Sequence, residues 1–222
     1  MTSSSEKGLL ITLEGGEGAG KTTQAAILKE KLTKLGYQVV ALREPGGTRI
    51  SEQIREVVLS PDNTEMAFTT EVMLFQAARA QIYEELVLPA LEQGRVVLMD
   101  RSRDSSVAYQ GIVRSFGKDK VESLNNISTQ NTYPDITFLL DIPVKIGLKR
   151  RADEGGENRM ELENGKFHQK VRKAYQELVA DDQQNRWRVI DATQSVEDVT
   201  DKLWQIIEPL LPKKSEAISA EK

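Results

Sequence analysis

The stretch Gly15-Gly16-Glu17-Gly18-Ala19-Gly20-Lys21-Thr22 constrains this chain more than any other. It follows an apolar, strand-like run, Leu9 to Glu14, and opens into the helical pattern that starts at Thr23 and stops near Leu35 and Gly36. A glycine, four residues and then Gly-Lys-Thr is the spacing of a phosphate-binding P-loop, and the flanking strand and helix are its required context. Glycines let backbone pass close to phosphate oxygens. Successive amide N–H groups and the helix N-terminus then face the anion. Lys21 is placed to reach the outer phosphates and Thr22 to offer a hydroxyl to a magnesium ion. A nucleoside triphosphate is therefore expected.

Downstream, short apolar runs alternate with helical patterns. Strands are expected at Tyr37–Leu42, Arg95–Asp100, Ile136–Asp141 and Arg188–Asp191, and helices at Ile50–Leu59, 68–92, 118–129, Val144–Arg151, Phe167–Val179 and Val196–Leu210. With the first strand this makes five strands, each separated from the next by helix. That alternation predicts an α/β fold with a parallel sheet covered on both faces. Residues 101–111 are polar and contain Tyr109, Gln110 and Gly111, and Asp153 to Asn158 read as a flexible glycine-containing loop. The expected organisation is a flexible N-terminus over 1–8, a single domain over 9–210 with a mobile lid near 150–165, and a polar tail over 211–222.

Composition excludes several alternatives. The chain has 222 residues, a formal charge of −4 and no cysteine. A general nucleic-acid binder would show a basic surface, so no nucleic-acid partner is expected. Disulfides and thiolate chemistry are ruled out. No apolar run approaches the ~20 residues of a membrane span, and Met1 to Lys7 lack the apolar core of a signal peptide. A cytoplasmic enzyme without a membrane partner fits these features. An anionic acceptor would have to be caught by local arginines.

Several side chains carry candidate chemistry. Asp100 ends an apolar strand, the Walker B position, and with Thr22 could hold magnesium across the outer phosphates. Arg101 beside it suits a bidentate clamp on a phosphate. Phe75 and Arg79 lie one helical turn apart, a ring beside a fork of donors, but both also suit an ordinary core with Arg79 paired to Glu71 or Gln76. Arg150, Arg151 and Arg159 flank the glycine loop and are candidates for an arginine finger. His168, the single histidine, is expected to pack or face solvent and not to act as a base. A guanine-reading Asn-Lys-x-Asp sequence is missing, which weighs against the alternative of a GTP-dependent switch.

Taken in order, these pieces resemble the thymidylate kinases of the nucleoside monophosphate kinase group. The resemblance rests on Glu14 to Thr23, Arg43-Glu44-Pro45-Gly46-Gly47-Thr48, Leu74-Phe75-Gln76-Ala77-Ala78-Arg79, Asp100-Arg101 with Ser105 to Gly111, Tyr133-Pro134-Asp135 and Ile190-Asp191-Ala192-Thr193. It implies the P-loop monophosphate kinase fold and transfer of the ATP γ-phosphoryl group to dTMP, with Mg2+, giving dTDP for dTTP synthesis. It implies that Gly15, Gly16, Glu17, Gly18, Ala19, Gly20, Lys21 and Thr22 hold ATP and that Ala192 lines the adenine site. It implies further that Arg55 and Arg101 hold the dTMP phosphate, Pro45 shapes the wall, and Phe75 stacks on thymine. Arg79, Ser106 and Gln110 would bond its polar edge, Tyr109 would crowd a ribose 2′-hydroxyl, and Glu17 would face the 3′-hydroxyl. Members place their catalytic arginine either in the P-loop or in the lid. Gly18 stands where the P-loop arginine would be, so the lid type is implied, with Arg150 and Arg159 favoured. A homodimer is implied as well. Ser102 departs from the ring usual after the Asp-Arg pair.

Overall fold

The computed structural model describes residues 7–154, 159–160 and 163–212. Much of the expected 153–158 loop, like the terminal residues 1–6 and 213–222, lies outside the described residues.

The five strands β1 (Leu9–Glu14), β2 (Val39–Arg43), β3 (Val96–Asp100), β4 (Ile136–Asp141) and β5 (Trp187–Asp191) form one sheet in the order β2-β3-β1-β4-β5. Every neighbouring pair is parallel. Between them run α1 (Lys21–Lys34), α2 (Arg49–Leu59), α3 (Phe68–Ile82), α4 (Leu88–Glu92), α5 (Arg103–Ser106), α6 (Lys118–Ser128), α7 (Val144–Glu154) and α8 (Gly165–Ala180), and α9 (Val196–Ile207) follows β5.

The pleat of β1 sorts its side chains onto two cores. Leu9, Ile11 and Leu13 meet Leu28 and Leu32 of α1 and Val199, Leu203 and Ile207 of α9. Leu10 faces the other side with Val97 and Met99 of β3, Ile82 of α3 and Leu91 of α4. A third apolar cluster joins α8 (Val171, Tyr175, Leu178) to Tyr109, Val121 and Trp187. Because β1 is central and buried on both faces, its sequence reads as a continuous apolar run.

Register aligns the C-terminal ends of the strands. Leu13 and Arg43 both pair with Asp100, and Glu14 pairs with Leu139. The loops after β1, β2 and β3 therefore converge on one edge, the edge at which open α/β sheets bind ligands.

One expectation needs correction. The long helix over 68–92 is interrupted: Tyr83–Val87 form a π-helical turn, with Leu88 N–H bonding the Tyr83 carbonyl five residues back. Pro89 has no N–H to give the preceding turn, and the wider turn absorbs that loss. The polar stretch 101–111, to which the sequence assigned no element, holds α5 and most of a π-helical turn over Val107–Val113. Ser102, Asp104 and Ser106 are buried, so polarity there marks a hydrogen-bonded interior.

Candidate active site

A cleft of about 310 Å³ opens at the C-terminal edge of the sheet. One end is the P-loop, from Glu17 to Thr22; the other is Phe75, Arg79, Ser106, Tyr109 and Gln110, with Pro45, Arg55, Asp100 and Arg101 between them. Most residues singled out from sequence are thus brought together by four separate chain segments.

The P-loop end is built from close backbone contacts. Gly18 adopts φ 65°, and a Cβ there would come 2.0 Å from the Gly147 carbonyl oxygen of α7. No side chain fits, so the lack of an arginine at this position has a steric basis here. Gly147 is matched to it: its own Cβ would sit 2.3 Å from the Glu17 carbonyl. Lys21 donates to the Gly16 carbonyl at 2.8 Å and the Gly15 carbonyl at 3.2 Å. Burial, with Arg101 second, holds its ammonium below the ordinary lysine range. The Thr22 hydroxyl donates to Asp100 Oδ2 at 2.5 Å.

Two cations face the middle of the cleft. Arg101 donates through Nη2 to Glu17 Oε1 at 2.7 Å and through Nη1 to the Gly15 carbonyl at 3.0 Å. Burial works against the Glu17 carboxylate, yet Arg101, Lys21 and the Tyr109 hydroxyl hold it down at about 2. Arg55 donates to the Pro45 carbonyl at 2.7 Å, across the cis Glu44–Pro45 peptide. Burial, then Arg43 and Arg101, press its pKa below the usual guanidinium value. Two crowded guanidiniums at one spot favour an anion between them.

The far end is a polar network fixed before any ligand arrives. Arg79, 1% exposed, donates to Glu44 at 2.8 Å through Nε, and its Nη2 lies 2.6 Å from the same oxygen. It also donates to Ser106 Oγ at 3.0 Å, to Asn125 Oδ1 at 2.9 Å and to the Ser102 carbonyl at 3.0 Å. Its partner is thus Glu44, not Glu71 or Gln76. Gln110 donates to Glu71 at 2.9 Å. Phe75 is half-buried with a face on the cleft. Tyr109 bonds Glu17 through its hydroxyl at 3.1 Å, so it stands where the base end and the P-loop end meet.

Five predicted residues do not line the cleft: Gly15 and Gly16 at the start of the P-loop, Arg150, Arg159 and Ala192. Arg150 donates to the Ala192 carbonyl at 2.9 Å, and Ala192 packs with Ala19 behind the P-loop. Arg159 is 2.8 Å from Glu71 and donates to the Val58 carbonyl. The arginine of this segment that lines the cleft is Arg151. His168 is packed, with its ring edge-on to Phe167 at 5.6 Å. Sequence reasoning missed Glu14, Glu44, Asn125 and Gly147. Glu44 was inside a quoted motif, and its position between a strand and Pro45 was the available signal.

The family model described as "Thymidylate kinase" matches residues 13–203. The chain is 48% identical over 206 residues to the thymidylate kinase of Bacillus licheniformis, covering 92% of this chain and 97% of that one. It is 45% identical over 207 residues to that of Anoxybacillus flavithermus, covering 92% and 99%. The chain belongs to the thymidylate kinase family. Among solved structures, the thymidylate kinase of Ehrlichia chaffeensis superposes with a TM-score of 0.73 at 28% identity, over 91% of this chain and 99% of that one. As a thymidylate kinase family member the chain is a nucleoside monophosphate phosphotransferase that acts on dTMP, with ATP as phosphate donor, and its sheet is that of the P-loop monophosphate kinases.

Proposed function

We propose that the cleft performs this transfer with the P-loop holding the ATP phosphates and the Phe75 end holding thymine. The reading is carried by one observation: Arg55 and Arg101 line the same cleft as the P-loop and Phe75, so two guanidiniums are available where an acceptor phosphate would meet the γ-phosphoryl group. Arg101 and Arg55 clamp that phosphate. Phe75 stacks on the base, while Arg79, Ser106 and Gln110 bond its edge. Glu17 receives the 3′-hydroxyl and Tyr109 crowds a 2′-hydroxyl. A monophosphate has its second pKa near ~6, so the attacking oxygen is already ionised at neutral pH and no general base is required. The protein positions two phosphates and offsets their charge.

Thr22 and Asp100 supply hard oxygens already 2.5 Å apart. Among the described residues no group of three His, Cys, Asp or Glu side chains gathers to hold a metal, which suits magnesium, held by one or two carboxylates together with substrate phosphates. Bound there, Mg2+ would neutralise charge on the outer phosphates.

A cation from the lid, near 150–165, completes the site. Arg151 already faces the cleft; Arg150 and Arg159 would first have to leave Ala192 and Glu71. A homodimer is proposed on the exposed Val57, Phe68, Met73 and Ile127, which lie on α3 and on α2 and α6 packed against it. The enzyme is placed in the cytoplasm with its soluble nucleotide substrates. Calorimetric titration of dTMP in the presence of a non-hydrolysable ATP analogue tests the base site. Phe75→Ala should weaken dTMP binding by about 1–3 kcal/mol; unchanged affinity would overturn the assignment.

A further inference from the structure

We infer that Glu14 is the positioning residue of the phosphate clamp: its buried carboxylate holds the turn that carries Arg101 and, through two hydroxyls, the Arg101 guanidinium itself. The inference rests on the reading of Arg101 as the residue that holds the acceptor phosphate.

Arg101 has φ 66°, a left-handed conformation unusual for a residue with a side chain. Such strain persists only where the surroundings over-determine it. Here the determinants flank the residue on both sides. Arg101 N–H bonds the Leu13 carbonyl at 2.9 Å, and the next amide, Ser102 N–H, donates to Glu14 Oε1 at 2.8 Å. The second oxygen, Glu14 Oε2, accepts from Ser105 Oγ at 2.6 Å and from the Tyr175 hydroxyl at 2.8 Å. Those two hydroxyls lie 2.9 Å from each other, and each also accepts from Arg101 Nη1, at 3.4 and 3.5 Å. A hydroxyl that gives its proton to a carboxylate keeps its lone pairs for a guanidinium. Ionised Glu14 therefore turns both hydroxyls into acceptors aimed at Arg101. Glu14 is fully buried and does not line the cleft, so it acts through Arg101 and not on substrate.

The charged and titratable groups around Glu14 are Arg101 after β3, Asp104 of α5, Tyr175 of α8 and Lys21 of α1. Asp104 is itself paired to Arg186 at 2.6 Å. Burial first and Asp104 second raise the Glu14 carboxyl to about 7, against the hydroxyl bonds and Arg101. Protonated, Glu14 gives its proton to one of these hydroxyls, which reverses that bond and occupies one of the two lone pairs on which Arg101 draws.

Steady-state kinetics of wild type, Glu14→Gln, Arg101→Ala and the double variant, each across pH, test this. The expected result has four parts. Wild-type kcat/KM for dTMP rises with pH through an inflection near 7 that Glu14→Gln lacks; the ionisation of dTMP itself is common to both enzymes and cancels in their ratio. At pH 8 Glu14→Gln loses roughly tenfold or more, as for a charge-assisted hydrogen bond. Its KM for ATP is unchanged. On the Arg101→Ala background Glu14→Gln adds nothing further. A wild-type pH profile in Glu14→Gln, or an equal loss on both backgrounds, overturns the inference. Arg101→Ala with unaltered dTMP kinetics would instead remove the clamp reading on which it stands. Should Glu14→Gln not fold, Tyr175→Phe removes one hydroxyl that lowers the Glu14 pKa; the inflection must then move to higher pH, and an unmoved one contradicts the proposal.

Discussion

Arg101 and Glu17, 84 residues apart in sequence, meet in an ion pair of 2.7 Å that closes the P-loop against the end of β3. Without ligand each satisfies the other; in the proposed reading, acceptor binding gives Arg101 a phosphate to hold and Glu17 a sugar hydroxyl. The pair thus keeps two ligand-binding groups in place at low cost before the substrate arrives.

The same neighbourhood gives stability a pH dependence with two opposite signs. Glu17 is held at about 2, below its ordinary 4.5, so its contribution is present above pH 4.5 and disappears as pH falls toward 2. Glu14 is raised from 4.5 to about 7, so its effect runs the other way. The folded state keeps a proton that the unfolded state has released, and stability declines as pH rises from 4.5 to 7, by on the order of 3 kcal/mol in all. Thermal unfolding across pH should show Glu14→Gln gaining on wild type between pH 5 and 8. It should show Glu17→Gln losing its deficit below pH 4.5. Parallel curves for wild type and Glu14→Gln would contradict the first expectation.

Arg101→Ala should lower dTMP-dependent turnover by about 10²–10³-fold, the usual loss for a charge-stabilising donor. ATP-analogue binding should stay intact. Arg101→Lys should rescue little, since a point charge cannot make the two directed bonds. Single-turnover kinetics with dTMP check this, and full rescue by lysine would argue against a bidentate clamp.

Glu44→Ala leaves the Arg79 guanidinium without its carboxylate at a site where both side chains are at most 4% exposed. Removing one partner of such a pair costs about 3–5 kcal/mol. Urea unfolding should report a loss of that size, and dTMP affinity should fall with it because Arg79 loses its aim. A stability change below 1 kcal/mol would mean the pair is not held as described.

Gly147→Ala, at a position with no side chain to offer a substrate, should damage ATP binding nearly as much as Gly18→Ala. The two backbones meet where either Cβ would overlap a carbonyl, at 2.3 and 2.0 Å. The P-loop would have to move to relieve either overlap. ATP-analogue titration decides the point: wild-type affinity in Gly147→Ala would show that the loop tolerates the shift.

Much of this was legible in the chain itself, for identifiable reasons. β1, β3 and β4 are buried on both faces, so they read as apolar runs. The P-loop and the Asp100-Arg101 pair are local motifs whose chemistry is written in adjacent residues. What was not legible depends on partners far apart in sequence. Arg79 finds Glu44 across 35 residues, and Tyr175 finds Glu14 across 161. Residues 101–111 are polar in sequence, and only the fold shows Ser102, Asp104 and Ser106 buried. Gly147 looked like an ordinary helix residue until the P-loop was laid against it. Of the lid candidates Arg150, Arg151 and Arg159, sequence favoured Arg150 and Arg159, while Arg151 is the one that lines the cleft.

The central claim is that the cleft joins ATP to a deoxythymidine monophosphate. Release of ADP, followed in a coupled assay across a panel of nucleoside monophosphates, tests it most directly. Turnover should require an acceptor and be fastest with dTMP. It should be weaker by about 10–200-fold with dUMP, which lacks one methyl, and weaker again with the ribo form that Tyr109 crowds. ADP release that proceeds without any acceptor, or that is fastest with a purine monophosphate, would contradict it.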